Sequence, residues 1–403
     1  MNKKISIGLC VSLIIMAVTA TFAITMVFSR QVYNNIISNL AARAGYATAI
    51  DEIDGICESY FFSSAPRKRN EATVNSFLVE GYVNSLGDAK SRYLTAEEYD
   101  EYLTLINGGI YGAGLEVAFD EQKGQLVVAY VYDESPAANV GIKRLDTIVS
   151  IDDTAVTKYN YETLADKLFG NTRKTVKIGY TRSGAKGTAE PMLSFQHPSV
   201  TGSMIEKVGI IRITGFYKNT ATLLNETVER LRGSGAQSFV FDVRNTSGGT
   251  IEYAAQTIDA VVSTNQGNIA VARGKDNVIY KNMKYVASVS KVSEPVVVLV
   301  NANTEGPAEL FACDLRDMRN AKIVGVTTKG DGTMQDVFTL KDGSAVLLSV
   351  AVVEPNKGSY NGTGVSPSDE SCSVELVQNT SSIFLVEASS DAQLQKALAL
   401  LAE

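Results

Sequence analysis

The chain has 403 residues, 45% of them hydrophobic and 20% charged, a composition that folds and a length that accommodates two or three domains. Its formal net charge of -7, with no basic run longer than Arg67-Lys68-Arg69, excludes a general binder of nucleic-acid phosphates. None of the four cysteines (Cys10, Cys57, Cys313, Cys372) stands at C-x-x-C spacing, and the one histidine, His197, sits before Pro198, so no metal site, cofactor motif or Ser-His-Asp triad is legible.

From the N-terminus, Ile5 to Phe28 is uncharged and rich in Ile, Leu, Val, Ala, Met and Phe. As a helix it exceeds a hydrocarbon core of about 30 Å at about 1.5 Å per residue. Lys3 and Lys4 precede it and only Arg30 follows closely, so the reading is a cytoplasmic stub and single anchor over 1–29, with the bulk of the chain extracytoplasmic. A cleaved signal peptide is the rival; the apolar sequence running on past Ala20-Thr21-Phe22-Ala23 favours the anchor. Outside the cytoplasm a disulfide among Cys57, Cys313 and Cys372 is open, and spacing selects no pair.

Residues 30–107 read as helical. Tyr33, Ile36, Ile37 and Leu40 recur at helical spacing, and Thr95-Ala96-Glu97-Glu98 resembles a helix start. Phe77 to Asp88 reads as a helix ended by a Gly-Asp turn, with a second helix after it. Over 108–190 the character changes: glycines at 108, 109, 112 and 114, the strand-like Leu126-Val127-Val128-Ala129-Tyr130-Val131, a short Pro-started helix at Ser135-Pro136-Ala137-Ala138, then a turn entering a strand at Gly141 to Ile151. This stretch resembles a PDZ domain of the bacterial protease type, except that Leu145 stands where that pattern has glycine. The resemblance makes Gly112-Ala113-Gly114-Leu115 the loop whose backbone N–H groups would take a peptide carboxylate, the peptide adding a strand to the sheet edge. Glycine torsions alone also account for such a loop.

Over 200–403, β-branched runs (Val208 to Ile213, Phe239 to Val243, Val296 to Val300) alternate with helical segments (Ala221 to Leu231, Ile251 to Val262, Ala308 to Met318), which predicts an α/β core with a sheet covered on both faces. The turn Asp242-Val243-Arg244-Asn245-Thr246-Ser247-Gly248-Gly249 looks like the D-L-R-x-N-P-G-G turn of the S41 family of carboxyl-terminal processing peptidases. Asn301 with Ala308-Glu309-Leu310 is similar to the segment around that family's S-A-S-A-S-E nucleophile motif. Gly325 through Gly330-Asp331-Gly332 to Gln335 resembles its V-G-x-x-T-x-G-K-G-x-x-Q segment. The match continues through Glu354-Pro355-Asn356-Lys357-Gly358 and Gly364-Val365-Ser366-Pro367. The resemblance implies an S41/crotonase-like α/β core with an inserted PDZ-like module, a helical N-terminal region and one transmembrane helix.

It also implies a Ser/Lys dyad: a serine attacks the scissile carbonyl, a neutral lysine takes its proton, a glutamine orients the lysine, and backbone N–H groups hold the oxyanion. Ungapped, the nucleophile position falls on Gly306, the lysine position on Asp331 and the glutamine on Gln335. The oxyanion region falls on Gly248, Gly249 and Pro307, and proline has no N–H to donate. The implied protein is a proteolytically inactive S41 homologue that binds polypeptide C-termini as a regulator or scaffold, partnered by those C-termini or by an active paralogous protease, with self-association left open. The alternative is an active endopeptidase using a dyad displaced by two residues, Thr304 and Lys329. Metal hydrolysis through Asp331 and Glu309 lacks a histidine or third carboxylate nearby.

Overall fold

The computed structural model describes residues 71–402 apart from 121–122, 171–172, 263–266, 288–291 and 377–384, together with scattered positions between 21 and 59. The chain divides into two compact units, Met1–Val74 and Asn75–Glu403. Apart from Thr21, Thr25 and Met26, the expected anchor lies outside the described residues, and among those described no helix is long and apolar enough to cross a membrane. Cys10 also lies outside them; Cys57, Cys313 and Cys372 are free thiols, and burial pushes the Cys313 thiol up to about 12.

Helix α1 (Glu71–Asn84) closes on a turn at Gly87, which takes the left-handed φ of 71°. Where a second helix was expected to follow, the chain first forms a three-residue strand, β1 (Arg92–Leu94). Three residues are too few to show a period of two, so this strand left no sequence signal. Helix α2 (Ala96–Ile106) then starts on the expected capping box: Glu98 N–H donates to Thr95 Oγ1 at 3.3 Å and Thr95 N–H to Glu98 Oε2 at 2.8 Å.

The PDZ-like module is entered through β2 (Tyr111–Gly112) and left through β9 (Phe195–Gln196), which pair antiparallel and form its neck. Between them lie β3 (Leu115–Asp120), β4 (Gln125–Val131), helix α3 (Pro136–Asn139), β5 (Thr147–Ile151), β6 (Thr154–Ala155), helix α4 (Tyr161–Asp166), β7 (Ile178–Arg182) and β8 (Ala185–Ala189). The sheet runs β3-β4-β5-β7-β8 with β6 on β5, around a core that includes Leu126, Val128, Ile148, Ile151 and Ile178. Leu145 adopts φ 70° with its side chain 57% exposed, so the torsion for which the PDZ pattern uses glycine persists and leucine bears its strain.

The core begins with β10 (Val200–Ile205), β11 (Val208–Ile213) and β12 (Gly215–Phe216), then helix α5 (Thr220–Gly233), β13 (Ser238–Asp242), β14 (Gly248–Gly249) and helix α6 (Ile251–Asp259). It continues through β15 (Asn268–Gly274), β16 (Ile279–Val286), β17 (Val296–Val300), helix α7 (Pro307–Arg319), β18 (Lys322–Gly325), β19 (Thr333–Thr339), β20 (Ala345–Glu354) and helix α8 (Ala392–Ala402). The first sheet runs β10-β11-β13-β17-β18 and is parallel from β11 onward. Every residue of β13 and β17 is buried, because both faces are covered. Phe239, Phe241, Val298 and Val300 join the main core with α6 and α7, whereas Val240, Val297 and Leu299 face Leu394 and Ala397 of α8. A second sheet, β1-β20-β15-β16 with β19 on β20, takes β1 through Arg92↔Leu347 and Leu94↔Ala345.

Leu145→Gly should stabilise the module by about 1 kcal/mol, since the left-handed conformation costs an L-residue roughly 1–2 kcal/mol and little apolar burial is lost. Denaturant unfolding followed by far-ultraviolet circular dichroism checks this, and the unfolding midpoint should rise.

Candidate active site

Two loops meet where β17 hands over to α7. In the first, Gly306 is the N-cap of α7 with φ 58° and ψ -112°, a sharp strand-to-helix elbow, and Pro307 is the first helical residue. In the second, Thr328 to Asp331 follows β18. Glu309, completely buried in the first turn of α7, joins them. Its carboxylate accepts N–H bonds from Gly306 at 3.0 Å, Gly330 at 2.5 Å and Asp331 at 2.8 Å, and the Thr328 hydroxyl. The two residues expected at the nucleophile and base positions, Gly306 and Asp331, are therefore brought together, and a Cβ built on Gly306 would sit 3.9 Å from the Asp331 carbonyl oxygen.

The side chains that meet here are charged. Lys90, from the loop before β1, pairs with Glu305 and reaches Asp331 Oδ2 at 3.2 Å; Lys329 Nζ reaches Glu305 Oε2 at 3.3 Å. Burial pushes the Asp331 carboxyl up, but bonds from the Thr333 hydroxyl and N–H and from Lys90 outweigh it and hold the group below the ordinary carboxylate range. Burial likewise pushes Lys90 down, and its bonds to Glu305 and Asp331 more than offset that, so it is held as a cation. Gln335 Nε2 donates to Thr333 Oγ1 at 2.9 Å, and that hydroxyl donates to Asp331 Oδ1 at 2.6 Å, so the glutamine reaches position 331 through Thr333.

Thr304 and Lys329 are neighbours through the backbone, Lys329 N–H donating to the Thr304 carbonyl at 3.1 Å. Their side chains are engaged elsewhere: the buried Thr304 hydroxyl donates to the Val243 carbonyl at 3.0 Å, and Lys329, 57% exposed, pairs with Glu305. The glycine turn after β13 forms the far wall. Arg244 is buried between Asp242 and Asp391, which ties the turn to the start of α8. Gly248–Gly249 pairs in parallel with β12, and at Gly249 (φ 107°) a Cβ would lie 2.1 Å from the Phe216 carbonyl oxygen, so only glycine fits. Gly248, Gly249, Pro307, Lys90 and Gln335 all line a cleft of about 510 Å³ that extends along α2, β19 and the start of α6. Lys90 and Glu305 escaped sequence reasoning: they are 215 residues apart and no local motif links them.

In the PDZ-like module, Gly112, Ala113, Gly114 and Leu115 are all buried, and the Ala113 N–H donates to the Leu168 carbonyl at 2.8 Å. Strand β3 is an edge of its sheet among the described residues, and its Phe119 stacks on Tyr161 of α4 with ring centroids 4.0 Å apart. His197 follows β9 and is packed under the glycine loop: its ring contacts Tyr132, Phe169 and Phe195, and among the described residues its Nε2 has no hydrogen-bond partner. Desolvation lowers its pKa to about 4.

An α/β core covered on both faces, a PDZ-like insertion on a two-strand neck and an elbow facing a glycine turn define a peptidase-type architecture. Residues 207–371 match Peptidase family S41 and residues 113–191 match the PDZ domain. The chain belongs to the S41 family, in its PDZ-containing carboxyl-terminal processing form. It is similar to the carboxy-terminal processing protease CtpA of Bacillus subtilis strain 168, with 28% identity over 328 residues covering 78% of this chain and 67% of that protein. It is also similar to the chloroplastic carboxyl-terminal-processing peptidase 2 of Arabidopsis thaliana, with 30% identity over 310 residues covering 72% and 59%. The chain thus spans about 59 to 67% of the length of these relatives. A solved S41 protease structure from Bacteroides fragilis NCTC 9343 shares the fold, with TM-score 0.56 at 17% identity, covering 84% of this chain and 92% of that one.

Two outcomes are expected. Glu309→Ala leaves three backbone donors without their acceptor, at about 1–3 kcal/mol for each buried orphan, so the unfolding free energy should fall by at least about 3 kcal/mol; Glu309→Gln keeps one acceptor oxygen and should cost less. For His197, the folded state stays neutral down to about pH 4 while the unfolded imidazole binds a proton from its ordinary value of 6.5. Stability should therefore drop as pH falls from 6.5 toward 4, and His197→Phe should flatten that part of the profile relative to the parent in parallel denaturation series.

Proposed function

We propose that this S41-family chain holds polypeptide C-termini without cleaving them, acting as a regulator or scaffold at the outer face of a membrane. The observation that carries the reading is the elbow: the nucleophile position has no side chain, and the position of its base bears a carboxylate ion-paired with Lys90. Pro307 adds to this, since the residue after the nucleophile would have to supply an oxyanion N–H, and one such donor is worth about 100- to 1000-fold. The charge-free segment Ile5 to Phe28 and the lysines before it support the membrane placement. The edge strand β3 and the cleft beside Gly248–Gly249 support peptide binding.

The purified chain should leave casein and C-terminally tagged proteins uncut. Gly306→Ser alone should also be inactive. Combining it with Pro307→Ala and Asp331→Lys restores the three family groups, yet Glu305 would still hold the new lysine protonated, so activity should stay weak and should rise when Glu305→Ala is added. Cleavage by the unaltered chain that disappears in Lys329→Ala or Thr304→Ala would overturn the reading and install the displaced dyad.

A further inference from the structure

The cleft carries a cation whose guanidinium makes no hydrogen bond or ion pair among the described residues, its electrostatic neighbour being the capping carboxylate Glu98. Four charged residues line it: Lys90, Arg92, Glu252 and Asp336. Lys90 is spent on Glu305 and Asp331, and Asp336 on Lys281 and the Tyr280 hydroxyl. Glu252 is exposed and holds only Gln256, one helical turn on, at 3.5 Å. Arg92 is exposed and, among the described residues, makes no ion pair or hydrogen bond through its guanidinium; the nearby Glu98 is engaged in capping α2. Strand β1 fixes Arg92 opposite Leu347 of β20, which also lines the cleft.

Around this cation the wall is built from Tyr102, Tyr253, Met283 and Met334. Strand β14 borders the same space and, among the described residues, pairs on one side only, with β12. An aromatic and thioether wall, a free strand edge and one guanidinium match an extended peptide with an apolar last residue and a free carboxylate, because arginine presents a planar fork that binds a carboxylate through two N–H bonds. The volume, about 510 Å³, suits a few residues of such a peptide.

We propose that Arg92 is the carboxylate anchor of the cleft, so that the core itself, and not only the PDZ-like module, selects polypeptide C-termini. This rests on the peptide-binding reading above and adds its specificity determinant. The test uses the full chain and a ten-residue, N-terminally fluorescent peptide ending in Leu-Ala, as free acid and as amide, with a benzoylphenylalanine near its end for photocrosslinking. The free acid should bind at least tenfold tighter than the amide by anisotropy, crosslink to residues 99–106 or 333–337, and lose its advantage in Arg92→Gln. Arg92→Lys, a point charge without the fork, should retain part of the advantage. If the acid still outbinds the amide in Arg92→Gln and the crosslinks fall in residues 111–170, the anchor is overturned while peptide capture survives. If neither peptide binds, both readings fall. Arg92→Gln changes an exposed side chain that makes no hydrogen bond among the described residues, and an unaltered unfolding midpoint identifies any loss of binding as local.

Discussion

One buried carboxylate holds the site together. Glu309 has no solvent contact and gathers three backbone N–H groups and a hydroxyl from two loops more than twenty residues apart in sequence. Burying a carboxylate is costly unless its oxygens are satisfied, so the two loops can move apart only by exposing that cost. Three of the four bonds come from backbone, and none depends on the side chains at 306 or 331. The scaffold of a two-loop active site can therefore persist while the residues it displays change.

Charge balance around that scaffold is kept by distant segments. Asp331 and Glu305 place two acids in a half-buried space, and the compensating cation is Lys90, which arrives from the loop before β1. The same principle operates on the opposite wall, where Arg244 in the glycine turn is matched by Asp242 beside it and by Asp391 at the start of α8. The two loops are thus clamped by segments remote in sequence, one N-terminal to the core and one at the core's C-terminal end. A carboxylate at 331 is tolerable because Lys90 is there.

What the sequence made legible follows from range. Phe239 to Val243 and Val296 to Val300 announced themselves because a strand buried on both faces needs no alternation, only a β-branched run. The capping box at Thr95 and Glu98 and the Pro-started turn at Ser135 were local chemistry and read correctly. Leu145 shows a limit of that reading: the substituted residue was visible, but that it keeps φ 70° required coordinates. Strand β1 was invisible because its pairing with β20 is set by tertiary contact alone. The Gly112 to Leu115 loop read as an open donor array, yet its burial and the bond from Ala113 to Leu168 come from the fold of the segment after α4. The Lys90–Glu305–Asp331 cluster belongs to the same class, a long-range electrostatic match with no periodic trace.

Gly306, Pro307 and Asp331 share a physical property: each suits its local structure. A serine at φ 58° and ψ -112° holds strain of about 1–3 kcal/mol, which a reactive elbow bears for the sake of an exposed hydroxyl. Glycine at 306 releases it. Proline at the first position of α7 gives up an N–H that the helix does not use and pre-sets its φ for the first turn. An acid at 331 pairs with Lys90 and accepts from the Thr333 hydroxyl. The elbow of this chain has the backbone of a strained nucleophile turn and the side chains of an unstrained helix start.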